Sequence, residues 1–164
     1  MFQIFFEKVR ITGDINEMFR FVPDAETNEF LGFKVSDNYY CLNVMHVQGI
    51  IYIPAISKIP NVPNYVEGAI NLRGKIIRVI NLAKWFKFPW RSFDSNSRII
   101  IIDLGDIVFG ILVDAIDEVF TLLKSDKHEK PNLLENQDEI AYLKNILIQG
   151  ERLFLEIDPK LVRE

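Results

Sequence analysis

Side chains able to do covalent or acid–base chemistry are few in this 164-residue sequence: two histidines, one cysteine and a group of acids between Asp103 and Glu118. Nucleophilic catalysis needs a thiol or hydroxyl beside a base, and a metal site needs several ligands at close spacing. His46 lies in the apolar run Val44-Met45-His46-Val47, and His128 lies in the charged stretch Lys124 to Lys130. Cys41, in Tyr39-Tyr40-Cys41-Leu42, has no second cysteine to pair with and reads as a buried strand residue. These spacings predict neither a metal site nor a cofactor. No Gly-x-Ser-x-Gly elbow, Gly-x-Gly-x-x-Gly fingerprint or phosphate-binding Walker loop is present. Asp103, Asp106, Asp114, Asp117 and Glu118 are groups that paired acid and base catalysis employs. The last three, however, intersperse with Val113, Ile116 and Val119, the pattern of the solvated side of a half-buried element. The chain reads as a binding protein rather than an enzyme.

Charge is unevenly distributed. Arg73, Lys75, Arg78, Lys84, Lys87, Arg91 and Arg98 face a single acid, Asp94, whereas the stretch from Asp103 to Glu139 is acid-rich, with only Lys124, Lys127 and Lys130 against it. Trp85, Phe86, Phe88 and Trp90 interleave with the basic stretch, so an alternative function is a small β-barrel that stacks single-stranded nucleic acid on residues 73–98. The competing reading packs these aromatics into the core and leaves the lysines in water. The net charge of −4 favours the second reading, because general nucleic-acid and membrane-surface binders are usually basic.

The elements that must position any site are mostly strands. Glu29 to Val35 and Tyr39 to Val44 flank Ser36-Asp37-Asn38, and Ala69 to Leu72 and Lys75 to Leu82 flank Arg73-Gly74. Arg98 to Leu104 and Ile107 to Val113 flank Gly105-Asp106, and Leu143 to Ile148 and Leu153 to Ile157 flank Gly150-Glu151. These spacings predict four hairpins. Ala83 to Lys87 and Pro159 to Arg163 suit one or two short helices. The stretch from Tyr52 to Asn64, with three prolines, and the charged stretch from Lys124 to Glu139 read as connections. Residues 1–28 form a leader of uncertain structure, within which Asn16 to Val22 looks more helical than extended. With no long helix to serve as a crossover, the fold class is all-β and mainly antiparallel, as small barrels or a sandwich. No run reaches the roughly 18 apolar residues of a membrane helix, and the N-terminus lacks the basic start of a signal peptide, so a cytoplasmic location without membrane insertion is expected.

The run Val66-Glu67-Gly68-Ala69-Ile70-Asn71-Leu72-Arg73-Gly74-Lys75-Ile76-Ile77-Arg78-Val79-Ile80-Asn81-Leu82 resembles the signature of the CheW family of bacterial chemotaxis proteins, above all in its Asn-Leu-Arg-Gly turn. Val108-Phe109-Gly110-Ile111-Leu112-Val113-Asp114, following Arg98 to Leu104, resembles a second block of that family, and Ile116-Asp117-Glu118-Val119 continues it. Ile59-Pro60-Asn61-Val62-Pro63 and the closing hairpin from Gly150 to Asp158 agree in order, so the resemblance covers residues 29–164. The sequence departs from the family at Gly49, where an acidic residue is frequent, at Arg78, where proline is common, and at Asn81, where Asp is frequent.

The resemblance implies a domain of two small, intertwined SH3-like β-barrels with a groove between them and no catalysis. It also implies the partners: the regulatory domain of the histidine kinase CheA, the cytoplasmic tip of a chemoreceptor, and further CheW-like domains in membrane-bound receptor arrays. Carried over by position, Asn71, Arg73 and Gly74 of the turn, Val47 and Ile50 before it, and Val119 after the second block fall on or near contact surfaces, with Arg98 and Ile99 as weaker candidates. A chain that starts at Met1 and stops just past its last strand is expected to be a free-standing adaptor.

Overall fold

The computed structural model describes residues 9–10, 17–21, 29–89, 92–121, 127–129 and 143–162. Its strands form two sheets. The first is seven-stranded, in the order β1 (Val9–Arg10), β2 (Glu17–Phe21), β5 (Val47–Ile51), β8 (Arg98–Asp103), β9 (Val108–Val113), β7 (Lys75–Asn81), β6 (Val66–Leu72). The second is six-stranded, in the order β10 (Ala115–Thr121), β3 (Glu29–Val35), β4 (Asn38–Asn43), β13 (Arg152–Ile157), β12 (Leu143–Gln149), β11 (Lys127–Glu129). All four expected hairpins are present, as the antiparallel pairs β3–β4, β6–β7, β8–β9 and β12–β13. Single helical turns span Leu82–Trp85 and Pro159–Val162, close to the short helices expected over Ala83 to Lys87 and Pro159 to Arg163.

The all-β class is therefore correct, but closed barrels are not: both sheets are open among the described residues and end in edge strands. The sheets are also mixed. β7 runs parallel to β9 and β4 runs parallel to β13. From β3 onward the chain builds β3 and β4 in one sheet, crosses to the other for β5 to β9, and returns for β10 to β13, so the sheets are intertwined although neither closes. Two local expectations need correction. Asn16 to Val22, read as more helical, contains strand β2, because a short ambiguous segment takes the conformation its neighbour rewards, and β2 pairs antiparallel with β5. Within the charged connection from Lys124 to Glu139, Lys127–Glu129 forms β11, an edge strand against β12; the remainder of that connection lies outside the described residues.

Strand alternation explains the cores. On β7, Ile77 and Val79 point to one face, where Ile51, Ile70, Ile99, Ile101 and Leu112 form a purely aliphatic cluster. Ile80 points to the other face and joins the main core shared by the two sheets. The rings of Phe33 and Tyr40 in the second sheet continue this core through Phe86, just after the first helical turn, with Phe33–Tyr40 centroids 6.0 Å apart and Tyr40–Phe86 centroids 5.2 Å apart. Phe86 then meets Phe88 edge-on at 5.8 Å. Cys41 is fully buried on the opposite face of the second sheet with Phe30, Phe120, Leu147 and Phe154, as its apolar neighbours suggested.

The proline-rich connection is pinned to β6 at one point, where Ser57 and Ala69 exchange backbone hydrogen bonds of 2.9 and 2.8 Å. Gly68 sits beside this bridge at φ +148, at a bulge in the β6–β7 register, and a Cβ there would overlap the Ser57 carbonyl oxygen. The Gly68→Ala variant combines this overlap with an unfavourable backbone conformation, for an expected loss of about 3 kcal/mol. Thermal unfolding should show a midpoint lowered by roughly 8 °C for a chain of this size.

Candidate functional site

Leu72 pairs with Lys75 across β6 and β7, leaving Arg73 and Gly74 as a two-residue hairpin turn. Both take positive φ, +53 and +82, as a type I′ turn requires. Glycine adopts that conformation freely, whereas arginine is held there at a cost. The Asn71 side chain stabilises the turn, its Oδ1 accepting a 2.9 Å hydrogen bond from the Gly74 N–H. Asn71, Arg73 and Gly74 are all exposed, so the turn projects the Arg73 guanidinium from a rigid mount.

Below the turn lies a groove of about 180 Å³. Its apolar floor includes Ile51, Leu72, Ile77, Ile101 and Val108, continuous with the aliphatic cluster, and Arg73, Lys75, Asp103 and Gln48 form its polar rim. Gly49 also lines it, so this position shares a groove with Arg73.

The remaining expected contact residues are placed differently. Val47, Ile50 and Val119 are buried in the main core and Ile99 is buried in the aliphatic cluster; their side chains support the surface from beneath. Arg98 is tied locally. Its Nη1 donates to the carbonyls of Ser95 at 2.7 Å and Ser97 at 2.8 Å, and its guanidinium lies 4.3 Å from the centre of the Tyr52 ring. The aromatic platform also turns inward: Trp85 and Phe86 are buried and Phe88 is half-buried against the main core, while Trp90 lies outside the described residues.

Composition and spacing gave no sign of a polar network at the base of the same hairpin. Asn81, only 2% exposed, donates from Nδ2 to Glu67 Oε1 at 2.7 Å and accepts from the Lys84 N–H at 3.2 Å, capping the first helical turn. Lys84 Nζ lies 2.8 Å from the same Glu67 oxygen. The signal available in sequence was Asn at the end of a strand just before a helical run, a capping pattern. The acids near the third hairpin also do structural work. Asp114 accepts from the Ser36 N–H at 2.6 Å, Asp103 accepts from the Gly105 N–H at 2.8 Å, and Asp117 receives both Arg152 contacts at 2.8 Å. Among the described residues, no three His, Cys, Asp or Glu side chains gather as a metal site would require.

The fold is thus a mixed β-fold in which an arginine-bearing turn stands above an apolar groove. Residues 29–164 match the family model described as a CheW-like domain, and the chain belongs to that family, whose members are non-catalytic scaffolds. It is 30% identical over 130 residues to the "Chemotaxis protein CheW" of Klebsiella aerogenes, covering 79% of this chain and 78% of that one. With the protein of the same description from Bacillus subtilis it shares 32% identity over 130 residues, covering 79% and 83%. The crystal structure of the scaffolding protein TtCheW from Thermoanaerobacter tengcongensis superposes with a TM-score of 0.75 at 30% identity, covering 80% of this chain and 89% of that one.

Two measurements check the local chemistry. Asn81→Asp removes the donor to Glu67 and sets two carboxylates against each other in a buried place, for an expected cost of about 2 kcal/mol at neutral pH. Urea unfolding at neutral pH should read that deficit. His46 has its pKa lowered from 6.5, first by burial and then by the Lys160 charge, with Lys144 adding to the effect and Asp158 and Glu156 opposing it. The unfolded chain therefore binds the proton more readily, so the His46 contribution is complete above pH 6.5 and declines as pH falls from there toward the folded-state value. In His46→Asn, unfolding curves measured across that window should lose this part of the slope.

Proposed function

We propose that the protein is a chemotaxis adaptor that couples the histidine kinase CheA to chemoreceptors through protein interfaces, working in the cytoplasm and recruited to membrane-bound receptor arrays. The observation that carries this reading is the Arg73–Gly74 turn, held at positive φ and exposed above an apolar groove in a chain of the CheW-like family. The groove suits one partner, the CheA regulatory domain. A planar guanidinium at a rim, with aliphatic side chains beneath, is a composition common in interface hot spots. Asn71, Arg73 and Gly74 act at the contact itself, while Val47, Ile50, Ile99 and Val119 hold the strands that shape it and Arg98 closes the loop before β8. No helix among the described residues is long and apolar enough to cross a membrane, which fits recruitment through protein partners.

Binding of the purified protein to the CheA regulatory domain and to a receptor cytoplasmic fragment from the same cell tests the reading. Arg73→Ala should weaken capture of the kinase domain by about tenfold, the scale of a single hot-spot side chain. Arg73→Gly should bind no better than Arg73→Ala, yet be the more stable of the two by about 1 kcal/mol, because glycine accepts the left-handed turn conformation that alanine resists. Wild-type protein that captures neither fragment at tens of micromolar would refute the coupling role.

A further inference from the structure

Strand β2 fills a place that β5 would otherwise leave open. β5 is bonded on one side to β8 and on the other to β2, with Phe19 facing Ile50 and Arg20 facing Gly49 in the register. Without β2, the run Val47-Gln48-Gly49-Ile50-Ile51 would end the first sheet with backbone N–H and C=O groups unpaired, and it holds no charge or proline to deter another strand. The hairpin that covers it is held along that one line. Among the described residues β1 pairs only with β2, and β2 pairs with the rest of the fold only at β5, through a register that is irregular between Glu17 and Phe19. A two-stranded hairpin is marginal by itself, so a cover attached at a single strand edge lifts at far lower cost than the sheet unfolds. This hairpin also lies outside residues 29–164, the part that matches the family model.

We propose that the β5 edge is a strand-acceptor site and that the strand it takes, when its own β2 lifts, is β2 of a second copy of this chain. The fit is already displayed within one copy: an identical strand in the same antiparallel register makes the same backbone bonds, so the trade loses no pairing. β2 and β3 stand in different sheets, joined by residues 22–28. That length of chain spans about 25 Å when extended, which brings a neighbouring copy within reach. Tethering sets when the trade occurs. A strand on a short linker is present at its own edge at an effective concentration on the order of 1 mM, so a dilute chain keeps its own β2 and crowded copies exchange theirs.

Added cysteines read the exchange directly. Facing Cα atoms of an antiparallel pair lie about 4.5–5.5 Å apart, within disulfide reach. Arg20→Cys and Gly49→Cys are introduced in separate full-length chains, mixed and oxidised over a range of concentrations, with the wild type reporting any bond made by Cys41. A covalent dimer of one chain of each kind is expected, its yield rising as the concentration approaches on the order of 1 mM. The chain carrying both substitutions is expected to close on itself when dilute. Internal closure with no mixed dimer at any concentration overturns the exchange, and the absence of both bonds overturns the acceptor site. A second measurement does not depend on the cysteines. Phe19→Pro removes a backbone donor from β2 and frees the edge. A labelled peptide of residues 14–23, followed by fluorescence anisotropy, should bind this variant at least about tenfold more tightly than the wild type, whose own strand competes. Equal binding to the two proteins, or binding matched by the same peptide carrying the proline, overturns the proposal.

Discussion

The contact on which the architecture depends is the ring stack between Tyr40, in the middle of the second sheet, and Phe86, at the end of the helical turn leaving β7. Each ring buries a large apolar area, and an offset pair adds roughly 1 kcal/mol beyond that area. Phe33 extends the stack into β3 and Phe88 extends it away from the turn, so four aromatic side chains hold the two open sheets together. Because Phe86 follows β7 so closely, this stack also fixes where the β6–β7 hairpin leaves the core. The Asn81–Glu67–Lys84 network then holds the hairpin's base, and the Asn71–Gly74 bond holds its tip. The guanidinium of Arg73 is thus positioned by a sequence of contacts that begins in the other sheet.

Burial along β7 falls off toward the turn: Val79 and Ile80 are buried, Ile76 and Arg78 are exposed, and Ile77 lines the groove. The rigid turn caps the exposed end of this strand without a hinge. A scaffold whose partners must be held in fixed relation gains from such a mount, since little conformational freedom remains to be lost on binding.

Much of this was legible in the residues. The four hairpins were marked by turn residues between β-rich runs, and Cys41 by apolar neighbours on both sides. The turn at Arg73-Gly74 was marked by its glycine between two β-rich runs. What stayed hidden was long-range. Continuous apolar runs such as Ile99 to Ile102 do not reveal which face meets a partner, and so Val47, Ile50, Ile99 and Val119 carried no sign that all four lie inside. The strand identity of Glu17–Phe21 rests on pairing with β5, and a short mixed segment carries no period of its own strong enough to announce that. The open sheets, in place of closed barrels, likewise depend on which distant strands meet.

The parallel pairing of β4 with β13 sets a constraint on how the chain assembles. Tyr40 and Cys41 find their neighbours Leu155 and Glu156 more than a hundred positions later in the chain. Until those residues are made, β4 presents an unsatisfied edge beside some of the most apolar sequence in the molecule, and closing so long a loop is entropically slow. The second sheet is therefore finished last during synthesis. A chain interrupted before Arg152 would hold an open strand edge of the kind that invites association with other chains.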